Sequence, residues 1–259
     1  MIADTHVHLN DEKYDDILTD VLDRAALNNV LLMYIVGYDK NSSIKAIEVC
    51  KKYNNYKNIK LLPIVGLHPS DAKKEKDLEL NWLIDLLDNN EILAVGEIGI
   101  DLYWEQEYKD LQIAMFRKQL EIADKYSLNV SIHSRDAIQL TYDILKDYKN
   151  VKGVIHCYSG SVEMAREFVK LGYKLGIGGV LTYKNSNLYK VIEDLDLKHF
   201  ITETDGPYLS PVPYRGKINE PSYLIEVIKK IADIKKMSIE KVESILYQNA
   251  LDVFRKEEK

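Results

Sequence analysis

The side chains in this sequence best suited to chemistry are its histidines, of which there are six. His6 and His8 stand two apart in Asp4-Thr5-His6-Val7-His8, and His68 follows Gly66-Leu67. His133 opens His133-Ser134-Arg135-Asp136-Ala137, and His156 opens His156-Cys157-Tyr158-Ser159-Gly160. Neutral imidazole is a good ligand for zinc and other first-row transition ions. A lone histidine of this kind would ordinarily be a hydrogen-bonded core or rim residue. Several aimed at one point make a metal site. Alternate residues of a strand share a face, so His6 and His8 can reach one ion from a rigid base.

Carboxylates complete the set. Glu97 lies in Gly96-Glu97-Ile98-Gly99-Ile100-Asp101, and Glu203 and Asp205 lie in Glu203-Thr204-Asp205-Gly206. A buried carboxylate is costly unless it is paired or metal-bound. Glu97 has two oxygens and can bridge two ions. Asp205 can bind an ion and take the proton of an activated water. Glu203 shares Asp205's face by the period-two rule and is read as a supporting residue. Catalytic roles are therefore expected for Asp205, Glu97 and Glu203.

These residues must be positioned by distant elements, because they are scattered along the chain. Eight apolar, β-branched runs read as strands: Ile2–Leu9, Val30–Val36, Lys60–Gly66, Ile92–Ile98, Asn129–His133, Lys152–His156, Tyr173–Ile177 and Phe200–Glu203. Between them apolar positions recur at helical spacing, as in Ile17, Leu18, Val21, Leu22 and Ala25, or Ile113, Phe116, Leu120 and Ala123. Asn41/Ser42, Ser161 and Ser238 are candidate N-caps. Two helices, Ser222–Lys235 and Ile239–Phe254, are expected after a Pro- and Gly-rich loop from Gly206 to Pro221.

Eight alternating units predict an α/β fold, a (β/α)₈ TIM barrel in a single domain spanning 1–259. An open doubly wound sheet would be expected to carry a Gly-rich phosphate turn after its first strand, where Asp4-Thr5-His6-Val7-His8 stands instead. Barrel strands all open at one face, where active sites are built. His6, His8, His68, His133 and His156 all fall at or just after strand ends. His199 precedes the last strand and has only a surface or rim role.

Composition fits this reading. The 259 residues are 46% hydrophobic and 29% charged, which excludes disorder as the main state. Two cysteines, Cys50 and Cys157, exclude a disulfide framework and a Cys-based zinc site. Strand alternation is expected to turn Cys157 away from the mouth. No run is long enough for a membrane span and the first residues do not read as a signal peptide, so a cytoplasmic protein with no membrane partner is expected. A net charge of −6 argues against broad wrapping of duplex nucleic acid. An anionic substrate stays possible because two divalent cations carry more charge than Glu97 and Asp205 offset.

The motifs above, with Gly66-Leu67-His68-Pro69, Pro207-Tyr208-Leu209 and Arg215-Gly216-Lys217-Ile218-Asn219-Glu220-Pro221, resemble in order those of the TatD family of metal-dependent deoxyribonucleases, within the wider amidohydrolase-like barrels. The resemblance covers nearly the whole chain. It implies that His6, His8 and Asp205 hold one metal, that His133 and His156 hold a second, and that Glu97 bridges them. Ile100 and Leu102 stand where the family often has Leu and Tyr, with Tyr103 and Trp104 following.

The function this implies is hydrolysis of DNA phosphodiester bonds, as an exonuclease on single-stranded DNA ends, by a water activated between two divalent metal cations. The family is usually described as magnesium-dependent, but imidazole ligands suit zinc, manganese, iron or cobalt better. His68, Arg135, Tyr158, Arg215, Asn219 and Glu220 are the candidate substrate-binding residues, with Tyr158, Tyr103 and Trp104 as base-stacking surfaces. The protein is expected to be a monomer or weak homo-oligomer. Two alternatives are a hydrolase of a small amide, lactone or aminoacyl ester, and a non-catalytic metal-binding interaction protein.

Overall fold

The computed structural model describes residues 1–104 and 106–254. Among them, eight strands form one parallel sheet in chain order: β1 Ile2–Val7, β2 Val30–Val36, β3 Lys60–Val65, β4 Ala94–Asp101, β5 Asn129–Arg135, β6 Gly153–Ile155, β7 Lys174–Ile177 and β8 Phe200–Thr202. Helices α1 Leu18–Leu27, α2 Lys40–Tyr53, α3 Asn81–Asn89, α4 Lys109–Tyr126, α5 Ile138–Leu145, α6 Val162–Lys170, α7 Leu188–Asp194 and α8 Leu224–Lys235 follow the strands one by one. A last helix, α9 Ile239–Val253, completes the order. This is the expected (β/α)₈ barrel. No described helix is long and apolar enough to cross a membrane.

Alternation along the strands divides the core in two. On β2, Leu32, Tyr34 and Val36 join a cluster with Ala3, Ile64, Ala94, Val154 and Ile201, whereas Met33 and Ile35 join the larger cluster that includes buried residues of the helices. Ala250, Val253 and Phe254 belong to the first cluster, and Phe254 lies 4.7 Å from the Tyr34 ring, centroid to centroid. Asn129 at the start of β5 donates to the Val253 carbonyl, and Asn249 donates to the Leu197 and Phe200 carbonyls at the start of β8, so α9 covers the end of the barrel opposite the histidines. This fixes the histidine end as the open one.

The barrel closes between β8 and β1 largely through the short segment just past the last strand. Val7 and Gly206 form a parallel bridge, the Asp205 N–H donates to the His6 carbonyl at 2.9 Å, and the His8 N–H donates to the Gly206 carbonyl at 2.8 Å. Buried Asp4 accepts from the Thr204 N–H and from the Thr204 hydroxyl. The seam therefore sets His6, His8 and Asp205 directly.

Several boundaries differ from expectation. Strand β4 runs on to Asp101 and β5 to Arg135, since the two stay paired from Ile98/Ile132 to Asp101/Arg135. Strand β6 is only three residues long, ending at Ile155. Helix α2 is capped by Asp39 rather than Asn41, in a reciprocal capping box with Ser42. Ser161 and Ser238 do cap α6 and α9, accepting from Met164 and Lys241 N–H.

Candidate metal centre

A cavity of about 540 Å³ opens at the histidine end and is lined by His8, His68, Glu97, His133, His156 and Asp205 among others. Its centre is Glu97. Pairing between β4 and β5 shifts between Val95 and Ile98, and the carboxylate is turned among the histidines. Oε2 lies 3.4 Å from His6 Nε2 and 3.7 Å from His8 Nε2. Oε1 lies 2.8 Å from His133 Nδ1, 3.6 Å from His68 Nε2 and 3.8 Å from His156 Nε2. Five histidines gathered from four strand ends thus meet on one carboxylate. Asp205 Oδ1 sits 3.5 Å from both His8 and His156 Nε2. His199 lies in a short turn before β8, at the other end of that strand.

Outer contacts fix the rings. His8 Nδ1 is 2.9 Å from the Val36 carbonyl. A carbonyl only accepts, so Nδ1 carries the proton and the neutral ring turns the Nε2 lone pair toward Glu97 and Asp205. His68 is the reverse: its Nδ1 accepts from the Ser70 N–H at 3.1 Å, so Nε2 holds the proton and faces the cavity as a donor. His6 Nδ1 pairs with the Ser131 hydroxyl at 3.1 Å. His156 Nδ1 lies 3.0 Å from Glu203 Oε1, and Glu203 also accepts from the Cys157 N–H. Glu203 fits there because the position beside it is Gly176, where a Cβ would fall 2.4 Å from the carboxylate.

The donor set fits a divalent cation. Buried His6 Nε2 has no hydrogen-bond partner among the described residues, although it faces Glu97. The Nε2 lone pair of His8 confronts two carboxylates, an arrangement that repels unless a proton or a metal lies between. Ligand atoms about 2.1 Å from a shared tetrahedral ion stand roughly 3.4 Å apart, close to the separations found here. Among the described residues, four groups of three potential ligands have their ligand atoms within 4.8 Å of one another, including His6–His8–Glu97 and His68–Glu97–His133. For His68 this closeness reflects a donor rather than a free lone pair.

Electrostatics point the same way. Burial works to raise the Glu97 carboxyl, but His68, His133 and His6 hold it well below the usual range. Asp205 is likewise held low against burial by His156 and His8. Burial opposes protonation of His133, yet Asp101 and Glu97 push it up to about 9. His156 is raised well above its ordinary value, against burial, by Glu203 and Asp205. Burial depresses His6, aided by His156 stacked 3.5 Å away, and pushes His68 down to about 3.

Four expected substrate contacts are placed elsewhere. Tyr158 is 2% exposed, its hydroxyl donating to the Ser161 carbonyl and its ring edge-on to Phe168, so it has no face for a base. Asn219 is buried and donates to the Thr204 and Tyr208 carbonyls, tying down the loop after β8. Glu220 makes a two-pronged pair with Arg24 at 2.8 and 2.6 Å and accepts from Ser222. Arg215 stacks 3.8 Å over Tyr183, outside the cavity lining.

Cys157 also departs from expectation. Because β6 stops at Ile155, alternation no longer applies, and Cys157 adopts a left-handed φ of 46° that brings it into the cavity lining. Arg135 and His68 do line the cavity. Arg135 lies 3.9 Å from the Tyr103 ring centroid and 5.5 Å from that of Trp104, and both aromatics are exposed, at 52% and 66%.

Other supports escaped the sequence reading. Asp101 Oδ2 pairs with His133 Nε2 at 3.0 Å, while Oδ1 accepts from the Tyr103 and Trp104 N–H groups. Gln112 clamps the backbone of Asp101, and Gln119 clamps Leu67, the residue before His68. A signal for the two glutamines exists: they stand seven apart on the face of α4 that buries Phe116 and Leu120.

Such a mouth on such a barrel defines a class, the metal-dependent hydrolases built on (β/α)₈ scaffolds. Within that class the chain belongs to the TatD-related DNase family, whose model matches residues 3–255. It is similar to the uncharacterized metal-dependent hydrolase YabD of Bacillus subtilis, at 38% identity over 98% of this chain and 99% of YabD. The metal-dependent hydrolase MJ1582 of Methanocaldococcus jannaschii is 35% identical over 98% of this chain and 97% of its own length. The crystal structure of YjjV, a TatD homolog from Escherichia coli, matches with a TM-score of 0.90 at 29% identity, covering 98% of this chain and 97% of that one.

Proposed function

We propose that this hydrolase cleaves phosphodiester bonds of DNA, removing nucleotides from single-stranded ends, with two divalent cations held on either side of Glu97. The observation that carries the reading is the division of Glu97's two oxygens, Oε2 toward His6 and His8 and Oε1 toward His133 and His156. His6, His8 and Asp205 would hold one ion, and His133 and His156 the other. Asp205 lies between the two sets. The nitrogen-rich donors favour manganese, zinc, iron or cobalt over magnesium.

Bound there, the cations would lower the pKa of a water and offset charge building on the phosphate. The remaining work falls to the chain. Asp205 accepts the proton of the attacking water at its carboxylate, its Oδ1 lying 3.5 Å from a histidine of each set. His68, with its proton held on Nε2, donates to a non-bridging phosphate oxygen. Glu203 orients His156, and Asp101 orients His133. Arg135 offers a planar guanidinium at the rim, and Tyr103 with Trp104 offers stacking surface that tolerates any base.

The test is a time course on 5′- and 3′-labelled single strands with each candidate metal. Stepwise release of mononucleotides from one end supports the reading. Turnover of small amides or lactones with intact strands would replace it with the amidohydrolase reading.

A further inference from the structure

A second concavity, of about 420 Å³, lies directly beside the metal cavity. The two share Ser134 and Ser159, which form a low saddle between them. Beyond the saddle, Leu102, Ala137, Ile138 and Leu140 supply apolar wall, while Lys109, Asp136 and Gln139 supply polar edges. Its volume falls within the roughly 300–1,000 Å³ of small-molecule sites. Arg135 stands on the metal side of the saddle. Lys109 in the groove and Arg135 beside the saddle give an anionic link crossing there two cationic side chains and two hydroxyls to meet.

We propose that this groove binds the nucleoside that adjoins the scissile phosphate on the side away from the metals. The proposal rests on the phosphodiesterase reading and adds to it a subsite for the flanking nucleoside. Three features of the groove match a nucleoside. Its apolar wall takes the faces of a base, which gain by leaving water. Ser134, Gln139 and Asp136 take the polar edge, Asp136 being suited to an exocyclic amino group. Continuity across the saddle lets one chain occupy both cavities, the phosphate meeting Ser159 and Arg135 on the way. An amide or lactone hydrolase would have no use for a second, connected compartment of this chemistry.

The experiment compares two substrates on the manganese-loaded protein: methyl 4-nitrophenyl phosphate, whose methyl group is too short to enter the groove, and a single-stranded tetranucleotide. Gln139→Trp fills the groove and Lys109→Glu reverses its charge; both residues are exposed, so folding is undisturbed. Each variant is expected to raise KM for the tetranucleotide by about tenfold or more, equivalent to ~1.4 kcal/mol, while changing turnover of the small ester less than about twofold. Anisotropy of a fluorescein-labelled, phosphorothioate-linked tetranucleotide should report the same weakening without turnover. Equal effects on both substrates, or none on the tetranucleotide, would overturn the subsite and leave the phosphodiesterase reading standing. A wild-type protein that cleaves neither substrate would overturn both.

Discussion

Replacing Glu97 removes the one group that all five cavity histidines approach. Glu97→Ala and His6→Ala are each expected to abolish phosphodiesterase activity, by more than the ~10–100-fold typical of a lost outer-shell partner, with native circular dichroism retained. Full activity in a folded Glu97→Ala protein would refute the assignment. The raised histidines give a second expectation. His133, pushed up to about 9, and His156, raised well above its ordinary value, hold protons at neutral pH in the metal-free protein. A metal must displace those protons, so its affinity should climb as pH rises toward about 9, with proton release on loading. Calorimetry in buffers of differing ionisation heat measures this directly. Affinity flat across that range would show the imidazoles are not displaced.

Elements matter here chiefly as places where strands stop. The histidines at strand ends were legible because each ends or follows an apolar run, and the barrel then dictates convergence. Cys157 was not, since the end of β6 at Ile155 and the left-handed turn beyond it leave no mark in the apolar pattern. Glu220 and Arg24 pair across 196 positions, a contact no local spacing discloses. Asn219 is likewise a fastener, and this is testable. Asn219→Ala should cost roughly 1–3 kcal/mol for each buried carbonyl it orphans, seen in urea unfolding. A raised KM with unchanged stability would instead restore a substrate-binding role.

The β8–β1 seam gives a pH prediction. Burial pushes the Asp4 carboxyl up to about 7, above its unfolded value, so the folded state holds the proton more tightly. The stability this contributes is full below about pH 4 and is lost as pH rises through about 7. Asp4→Asn keeps a carbonyl for the Thr204 and His6 N–H groups without the charge. Metal-free Asp4→Asn should therefore lose less stability than the wild type between those limits. Parallel melting profiles for the two proteins would contradict it.

For the whole molecule, sequence order and apolar rhythm carried the architecture, because eight parallel strands can bury their apolar runs only when helices cover them. The rim was beyond their reach. Charged and aromatic side chains there choose partners only after the loops are placed, as Arg135 does with Tyr103 and Trp104 and Arg215 with Tyr183. The histidine cluster survives such freedom because its side chains stand on or beside rigid strand ends and the seam beside it is hydrogen-bonded. The most direct test is anomalous diffraction from crystals soaked in manganese. Two peaks should flank Glu97, one beside His6 and His8 and the other beside His133 and His156. A single peak remote from Glu97, or none at saturating metal, would contradict the account.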